Sequence, residues 1–405
     1  MNLKMGALHI WPETPARRDG HVVLSATIEA PDQERSRLWY SIPESLEGDI
    51  AQNADPFVIG TIYLLMQSGH EVRVHGEVSP SLLWNLEEFQ GAWTSWEPGL
   101  KKVPIRADNE KEPEFQRNSS ESIVAFSGGV DSCFTAFHYT RNHGLAHPSP
   151  LTAGVMMHGF DIPLSQPEVF ASALKRSRAM LSSLDLELIP IATNYRELVT
   201  DWVHSFGAAT ASCLCLFSKR FRAGYISQGL TFNDFHLLHE GSNPLTDPLL
   251  SSDSFSIVPT GSAYNRASKI FAMREWDEFL RYLRVCWQGP NKDQNCCECE
   301  KCMRNILTFR ALGLGLPPCF PKDVDERMIQ SLSLGAGHLP EMRYSGLKRL
   351  ATSHGAQGSW LDVIDKRLAY IRRNRRAENS WILRQYLRFL RKGKKLMTAI
   401  IRNRG

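Results

Sequence analysis

The sequence predicts an α/β protein built on a parallel sheet, and three observations carry that prediction. From Ser122 onward, short apolar runs alternate with helical patterns, the signature of parallel strands joined by crossover helices. The apolar run Ile123-Val124-Ala125-Phe126 passes straight into Ser127-Gly128-Gly129-Val130-Asp131-Ser132, and a helical pattern restarts at Cys133. Farther on, five of the nine cysteines fall between Cys286 and Cys302. That clustering points to a metal site at the end of the α/β domain.

Composition sets the frame for these features. At 405 residues, 42% hydrophobic and 22% charged, the chain reads as a soluble globular protein with room for two domains. The net charge of +4 hides an asymmetry: residues 366–405 hold fourteen Lys/Arg against Glu378 alone, a local +13, which leaves −9 on residues 1–365. The opening residues Met1 to Ile10 lack the apolar core of a signal peptide, and no apolar stretch is as long as a membrane span, so a cytoplasmic protein with no transmembrane segment is expected. In a reducing compartment the cysteines are not expected to pair as disulfides.

Residues 1–115 read as a small α/β domain. His21–Ile28 and Arg37–Ile42 alternate as paired strands, Pro56–Met66 is helical, Glu71–Gly76 is a strand and Pro80–Phe89 a second helix. The charged, proline-containing stretch Asp108–Glu114 is the linker candidate. The larger domain covers 120–335. Its second strand is Leu151–Gly159, followed by a helix over Glu168–Leu184 with Lys175, Arg176 and Arg178 exposed, a strand over Leu186–Ile191, a helix over Asp201–Arg222 and a short strand at Tyr225-Ile226. Ligands of such sheets bind beyond the carboxyl ends of the strands, where Ser127, His158 to Asp161 and Asn194 would lie. Residues 336–405 form a helical region. Its basic tail, 366–405, intersperses Trp381, Tyr386 and Phe389 with arginines and lysines at helical spacing. Either it is a solvated helix docked on the body, or it meets an acidic partner such as RNA, an acidic protein or anionic lipid.

The strand-to-loop junction carries the chemistry. Two glycines let the backbone come close to a ligand, successive N–H groups point into the turn, and the helix N-terminus adds partial positive charge. The turn is therefore a nest for an anion. It is not a Walker A loop, because no Gly-Lys-Ser/Thr follows the glycines.

The hexapeptide Ser127 to Ser132 resembles the pyrophosphate-binding loop of the ATP pyrophosphatases, which include asparagine, GMP and NAD synthetases, tRNA-thiolating enzymes and 7-cyano-7-deazaguanine synthase. The resemblance implies an adenine nucleotide α-hydrolase-like, Rossmann-like fold in which ATP is cut between its α- and β-phosphates while the loop holds the departing pyrophosphate. Ser127, Gly128, Gly129, Val130, Asp131 and Ser132 would bind the nucleotide. Asp131 is the candidate for holding Mg²⁺; capping the helix is its structural alternative.

Cys296-x2-Cys299-x2-Cys302 has the spacing that lets thiolates converge on one tetrahedral ion, and Cys286, ten residues upstream, offers a fourth ligand. A closed four-thiolate zinc site is expected, with an iron–sulfur cluster and unliganded thiols as the alternatives. This site in one chain with the Ser-Gly-Gly-x-Asp-Ser loop looks like 7-cyano-7-deazaguanine synthase, which turns a 7-deazaguanine carboxylate into its nitrile with ATP and ammonia. The resemblance covers about residues 120–312. It implies Cys286, Cys296, Cys299 and Cys302 as zinc ligands, with Cys297 standing where the family usually has glycine. Lys269, in Ser268-Lys269-Ile270, resembles a lysine of that family and is carried over as catalytic with Asp131 and Ser132. The stretch Gly241–Ser252 departs from the family pattern.

The expected reaction is adenylation of a carboxylate, 7-deazaguanine-like or other, with release of pyrophosphate and attack by ammonia or an amine. Asp161, just past the second strand, would read ribose or substrate, or simply form a turn before Pro163. Asp247, in Asn243-Pro244-Leu245-Thr246-Asp247-Pro248, has the same two readings. An N-terminal-nucleophile glutaminase is not expected, since position 2 is Asn2 and the first cysteine is Cys133. The rival enzyme class is tRNA thiolation or base modification, for which Cys133, Cys213 and Cys215 are the thiols outside the cluster and Cys319; Cys213 and Cys215 look like buried apolar residues. A third reading is a non-catalytic nucleotide-binding module. The first domain would bind a protein partner or a modified substrate.

Overall fold

The computed structural model describes residues 6–31, 33–113, 120–141, 149–235, 239–286, 288–289, 291–331 and 338–373. The first third of the chain forms β1 (Ala7–Pro12), β2 (Ala16–Arg18), β3 (His21–Glu29), β4 (Ser36–Pro43), α1 (Asp55–Ser68), β5 (Glu71–Val78), α2 (Pro80–Trp96) and β6 (Ile105–Glu110). Period-two alternation decides the faces. Leu8 and Ile10 of β1 are buried under the helices, whereas His9 and Trp11 face the other way and stack with His75 of β5. Asp108 to Glu110, expected in the linker, close strand β6, which pairs in parallel with β5. The rest of that stretch, from 114, lies outside the described residues.

The second part adds β7 (Ser122–Ala125), α3 (Val130–Arg141), β8 (Leu151–His158), α4 (Pro167–Ser182), β9 (Glu187–Thr193), α5 (Tyr195–Leu198), α6 (Trp202–Cys215), β10 (Ala223–Ser227), β11 (Ser256–Thr260), α7 (Arg266–Ala272) and α8 (Asp277–Tyr282). The expected helix over 201–222 ends at Cys215, and Leu216 to Arg220 run on as turns. Arg176, expected on the exposed face of α4, is half-buried and pairs with Asp293 at 2.9 Å.

The strands of the described residues belong to one mostly parallel sheet, ordered β11-β10-β7-β8-β9-β4-β3-β1-β5-β6, with β2 against β3. β7 to β11 run parallel, so the segments after each of them emerge at one edge. The N-terminal strands join through an antiparallel β4–β9 pair, Tyr40 opposite Thr193. Asn194 fastens this seam: its side chain accepts from Trp39 N at 3.0 Å and donates to Arg37 O at 2.7 Å. Tyr40 Oη donates to Ser212 Oγ of α6 at 3.0 Å. A Cβ at residue 60 would lie 2.5 Å from that hydroxyl oxygen, so Gly60 is what lets α1 sit this close to β4 and α6. One hydrophobic core consequently runs from Ile10 and Tyr63 through Val155 to Leu214. Tyr63 meets Phe89 and Trp93 edge-on within it, each burial stabilising by roughly 1.5–3 kcal/mol.

Two compact units divide the chain, residues 1–295 and 296–405. The second contains α9 (Glu300–Ala311), α10 (Glu326–Ser331), α11 (His338–Ser353) and a helical stretch over 360–373. α9 buries Met303, Ile306, Leu307 and Phe309 on one face, as its amphipathic spacing requires. Of the basic tail expected over 366–405, residues 366–373 continue a helix in which Arg372 pairs with Glu341 at 2.7 Å. Residues 374–405 lie outside the described ones. Among the described residues, no helix is long and apolar enough to cross a membrane.

Candidate active site and metal centre

Strand β7 delivers the loop, and Phe126 prolongs its path by donating to Val155 O at 2.8 Å. Gly128 then turns through φ +74°, a left-handed conformation that favours glycine, with Met180 Cε and Ser177 Oγ each 3.3 Å from where a Cβ would stand. The loop is braced from within. Ser132 Oγ accepts from Ser127 N at 3.3 Å and donates to Gly129 O at 3.2 Å, while Gly129 N donates to Ser127 Oγ at 3.4 Å. Cys133 N makes the bond to Gly129 O that starts the helical ladder, so the N–H groups of Val130, Asp131 and Ser132 precede it and sit at the positive end of α3.

Asp131 is the charged centre of the site. Its Oδ1 accepts from Lys269 Nζ at 2.8 Å and its Oδ2 from Arg266 at 2.9 Å. The Lys269 side chain is 1% exposed, against 21% for Asp131 and 18% for Arg266. Lys269 also donates to Gln228 O at 2.6 Å, which leaves one of its three N–H groups for a further acceptor. The structure thus brings Lys269 onto Asp131 of the loop from a segment 138 residues away, and adds Arg266 one turn before Lys269 on α7. The i, i+3 spacing of Arg266 and Lys269 was visible in the sequence; nothing there tied it to Asp131.

A second arginine was not anticipated at all. Arg284 is only 8% exposed in its side chain and donates to Ser127 O at 3.0 Å, with Asp161 Oδ2 4.0 Å away. Asp161 therefore stands beside the loop through Arg284, with 42% of its side chain exposed. Three cations and two carboxylates surround the loop, an excess of positive charge suited to an anion.

Other candidates serve the fold. Asp247 is fully buried and accepts from Ser242 Oγ, Gln228 Nε2 and Asn243 N, and burial pushes its carboxyl up to about 7 against those bonds. It supports Gln228, whose carbonyl holds Lys269, and does not line the loop. His158 Nε2 bonds Pro163 O at 2.9 Å and its ring stacks on Phe170, with burial holding it below the ordinary histidine range. Cys213 and Cys215 lie in the core, where burial pushes both thiols well up, and Cys133 is likewise buried. Neither Cys213 nor Cys215 is a ready thiolate.

The sulfur atoms of Cys286, Cys296, Cys299 and Cys302 all lie within 4.8 Å of one another. A zinc ion with four sulfurs at about 2.3 Å separates neighbouring sulfurs by about 3.8 Å, and Cys296 and Cys302 Sγ are 3.9 Å apart. Backbone N–H groups already point at these sulfurs: Cys299 N to Cys296 Sγ at 3.3 Å, Cys302 N to Cys299 Sγ at 3.5 Å and Gly289 N to Cys286 Sγ at 3.2 Å. Such donors stabilise thiolates, so the four residues fit a structural zinc ion. Cys297 is not one of the four. It is buried and adopts φ +61°, a left-handed conformation that favours glycine.

No family model, curated protein or solved structure matches this chain.

Proposed function

We propose that the chain is an ATP pyrophosphatase-type ligase with a Rossmann-like nucleotide domain, which adenylates a carboxylate and passes the acyl group to ammonia or an amine, as 7-cyano-7-deazaguanine synthase does. The observation that carries the reading is the convergence of the buried Lys269 and of Arg266 on Asp131, at the mouth of a glycine turn that opens a helix. A carboxylate oxygen attacks the α-phosphorus, the bond to the bridging oxygen breaks, and negative charge grows on the departing pyrophosphate. The loop N–H groups, the Ser127 and Ser132 hydroxyls, the spare N–H of Lys269 and the Arg266 guanidinium stabilise that charge. The acyl carbon of the adenylate then accepts the nitrogen nucleophile, and AMP leaves.

Asp131 is a hard-oxygen carboxylate at the start of the helix after the loop, 21% exposed, so it is the residue that would hold Mg²⁺ arriving with the nucleotide. That ion supplies charge neutralisation on the phosphates. Zinc at the cysteine site has a structural part only, since four thiolates leave no open position. The buried state of Cys133, Cys213 and Cys215 counts against sulfur transfer to RNA. A cytoplasmic setting would keep these thiols reduced. On the N-terminal half, the exposed Trp11 stacked on His75 at 3.4 Å is the surface we assign to a protein partner.

The test is product analysis. Full-length protein is incubated with ATP, Mg²⁺, ammonia and a panel of carboxylates that includes a 7-deazaguanine carboxylate. AMP and pyrophosphate in equal amounts, dependent on one carboxylate, support the reading. ADP and phosphate as products, or no turnover with nucleotide merely bound, refute it.

A further inference from the structure

We propose that Arg284 is a positioning residue, one that keeps the carbonyls of the phosphate loop turned away so that its N–H groups face the ligand. The inference rests on the reading of residues 127–132 as a phosphate site. It starts from peptide geometry: in a trans peptide the carbonyl and the following N–H point in opposite directions, so fixing one aims the other. Arg284 fixes two in succession. Its guanidinium donates to Ser127 O at 3.0 Å and its backbone N–H donates to Gly128 O at 2.9 Å. The first bond aims Gly128 N–H away from Arg284, and the second aims Gly129 N–H toward Ser127 Oγ, 3.4 Å away, whose hydroxyl then faces the ligand side. Because Gly128 is the most permissive residue in the loop, this is where an unpinned backbone would lose orientation first.

The strap that carries Arg284 is itself held. Asn295 Oδ1 accepts from Val285 N at 2.9 Å and from Cys286 N at 3.2 Å, and its Nδ2 donates to Leu283 O at 2.8 Å. The guanidinium also donates to Lys292 O at 3.1 Å.

Magnesium pyrophosphate binding, measured by calorimetry on full-length protein, tests the assignment, with adenosine as the control ligand and zinc content and thermal melting as controls on folding. Arg284→Met is expected to weaken pyrophosphate about tenfold, the value of a hydrogen bond to a charged group, and to leave adenosine binding unchanged. Arg284→Lys keeps the charge without the planar fork and is expected to weaken pyrophosphate severalfold. Wild-type pyrophosphate affinity in a folded Arg284→Met would overturn the proposal. Should that variant not fold, wild-type affinity in Arg284→Lys would overturn it instead. Absence of pyrophosphate binding by the wild type would sink the reading of the loop itself, a result distinct from either.

Discussion

Replacing Asp131 by alanine takes the carboxylate away from two cations at once, and the consequence for stability follows from where those cations lie. Arg266 is close enough to the surface to turn toward water. Lys269, at 1% exposure, is not, and would retain Gln228 O at 2.6 Å and the face of the Phe134 ring at 5.9 Å, neither of them a counter-charge. Stranding a buried charge by removing its partner costs about 3–5 kcal/mol; the partial exposure of Asp131 places the expectation near the lower end. Urea unfolding of Asp131→Ala, Lys269→Met and the double variant measures this directly. The double variant is expected to recover about 2 kcal/mol or more over Asp131→Ala, because a methionine in the lysine's place needs no counter-charge. A double variant no more stable than Asp131→Ala would refute the coupling. Loss of pyrophosphate formation in Asp131→Ala is then interpretable only in protein shown to be folded.

Three further outcomes are expected. Asp247 binds its proton more tightly folded, at about 7, than its ordinary value of 3.8, so its burial costs nothing below pH 4 and its full penalty, about 4 kcal/mol, above pH 7. Stability of the wild type should fall across that window. Asp247→Asn, which lets the unpaired Gln228 Oε1 turn to accept from the new amide, should gain on the wild type as pH rises from 4 to 7; parallel urea midpoints across this range would contradict the assignment. Cys299→Ser should lower zinc content and melting temperature together, and unchanged metal stoichiometry would remove Cys299 from the ligand set. Gly128→Ala places a Cβ on a backbone at φ +74° and within 3.3 Å of Met180 and Ser177, so it should cost about 1–2 kcal/mol and weaken pyrophosphate binding; unaltered binding would argue against the loop's conformation.

What proved legible in the sequence was whatever is decided by neighbours along the chain. The turn after β7 needs glycines within six residues of a strand and a helix, and the Cys296-x2-Cys299-x2-Cys302 spacing positions three sulfurs on one short stretch. β1 was legible too, in the alternation of Leu8 and Ile10 with His9 and Trp11, although it attracted no assignment. Lys269 was found only through resemblance.

Arg284 left no local trace, because its partner Ser127 is 157 residues away and an arginine before an apolar pair suits any strand end. The joining of the N-terminal strands to the main sheet was equally hidden. It depends on β4 meeting β9 and on Asn194 reaching Trp39 and Arg37, pairings that periodicity does not encode. Sequence by itself thus determined the strand, the glycine turn and the spacing of the cysteine cluster, since short-range geometry specifies each. Only the tertiary structure decided which cations attend the turn and that one sheet spans both halves, because distant segments are matched by packing and by the need to pair buried charge.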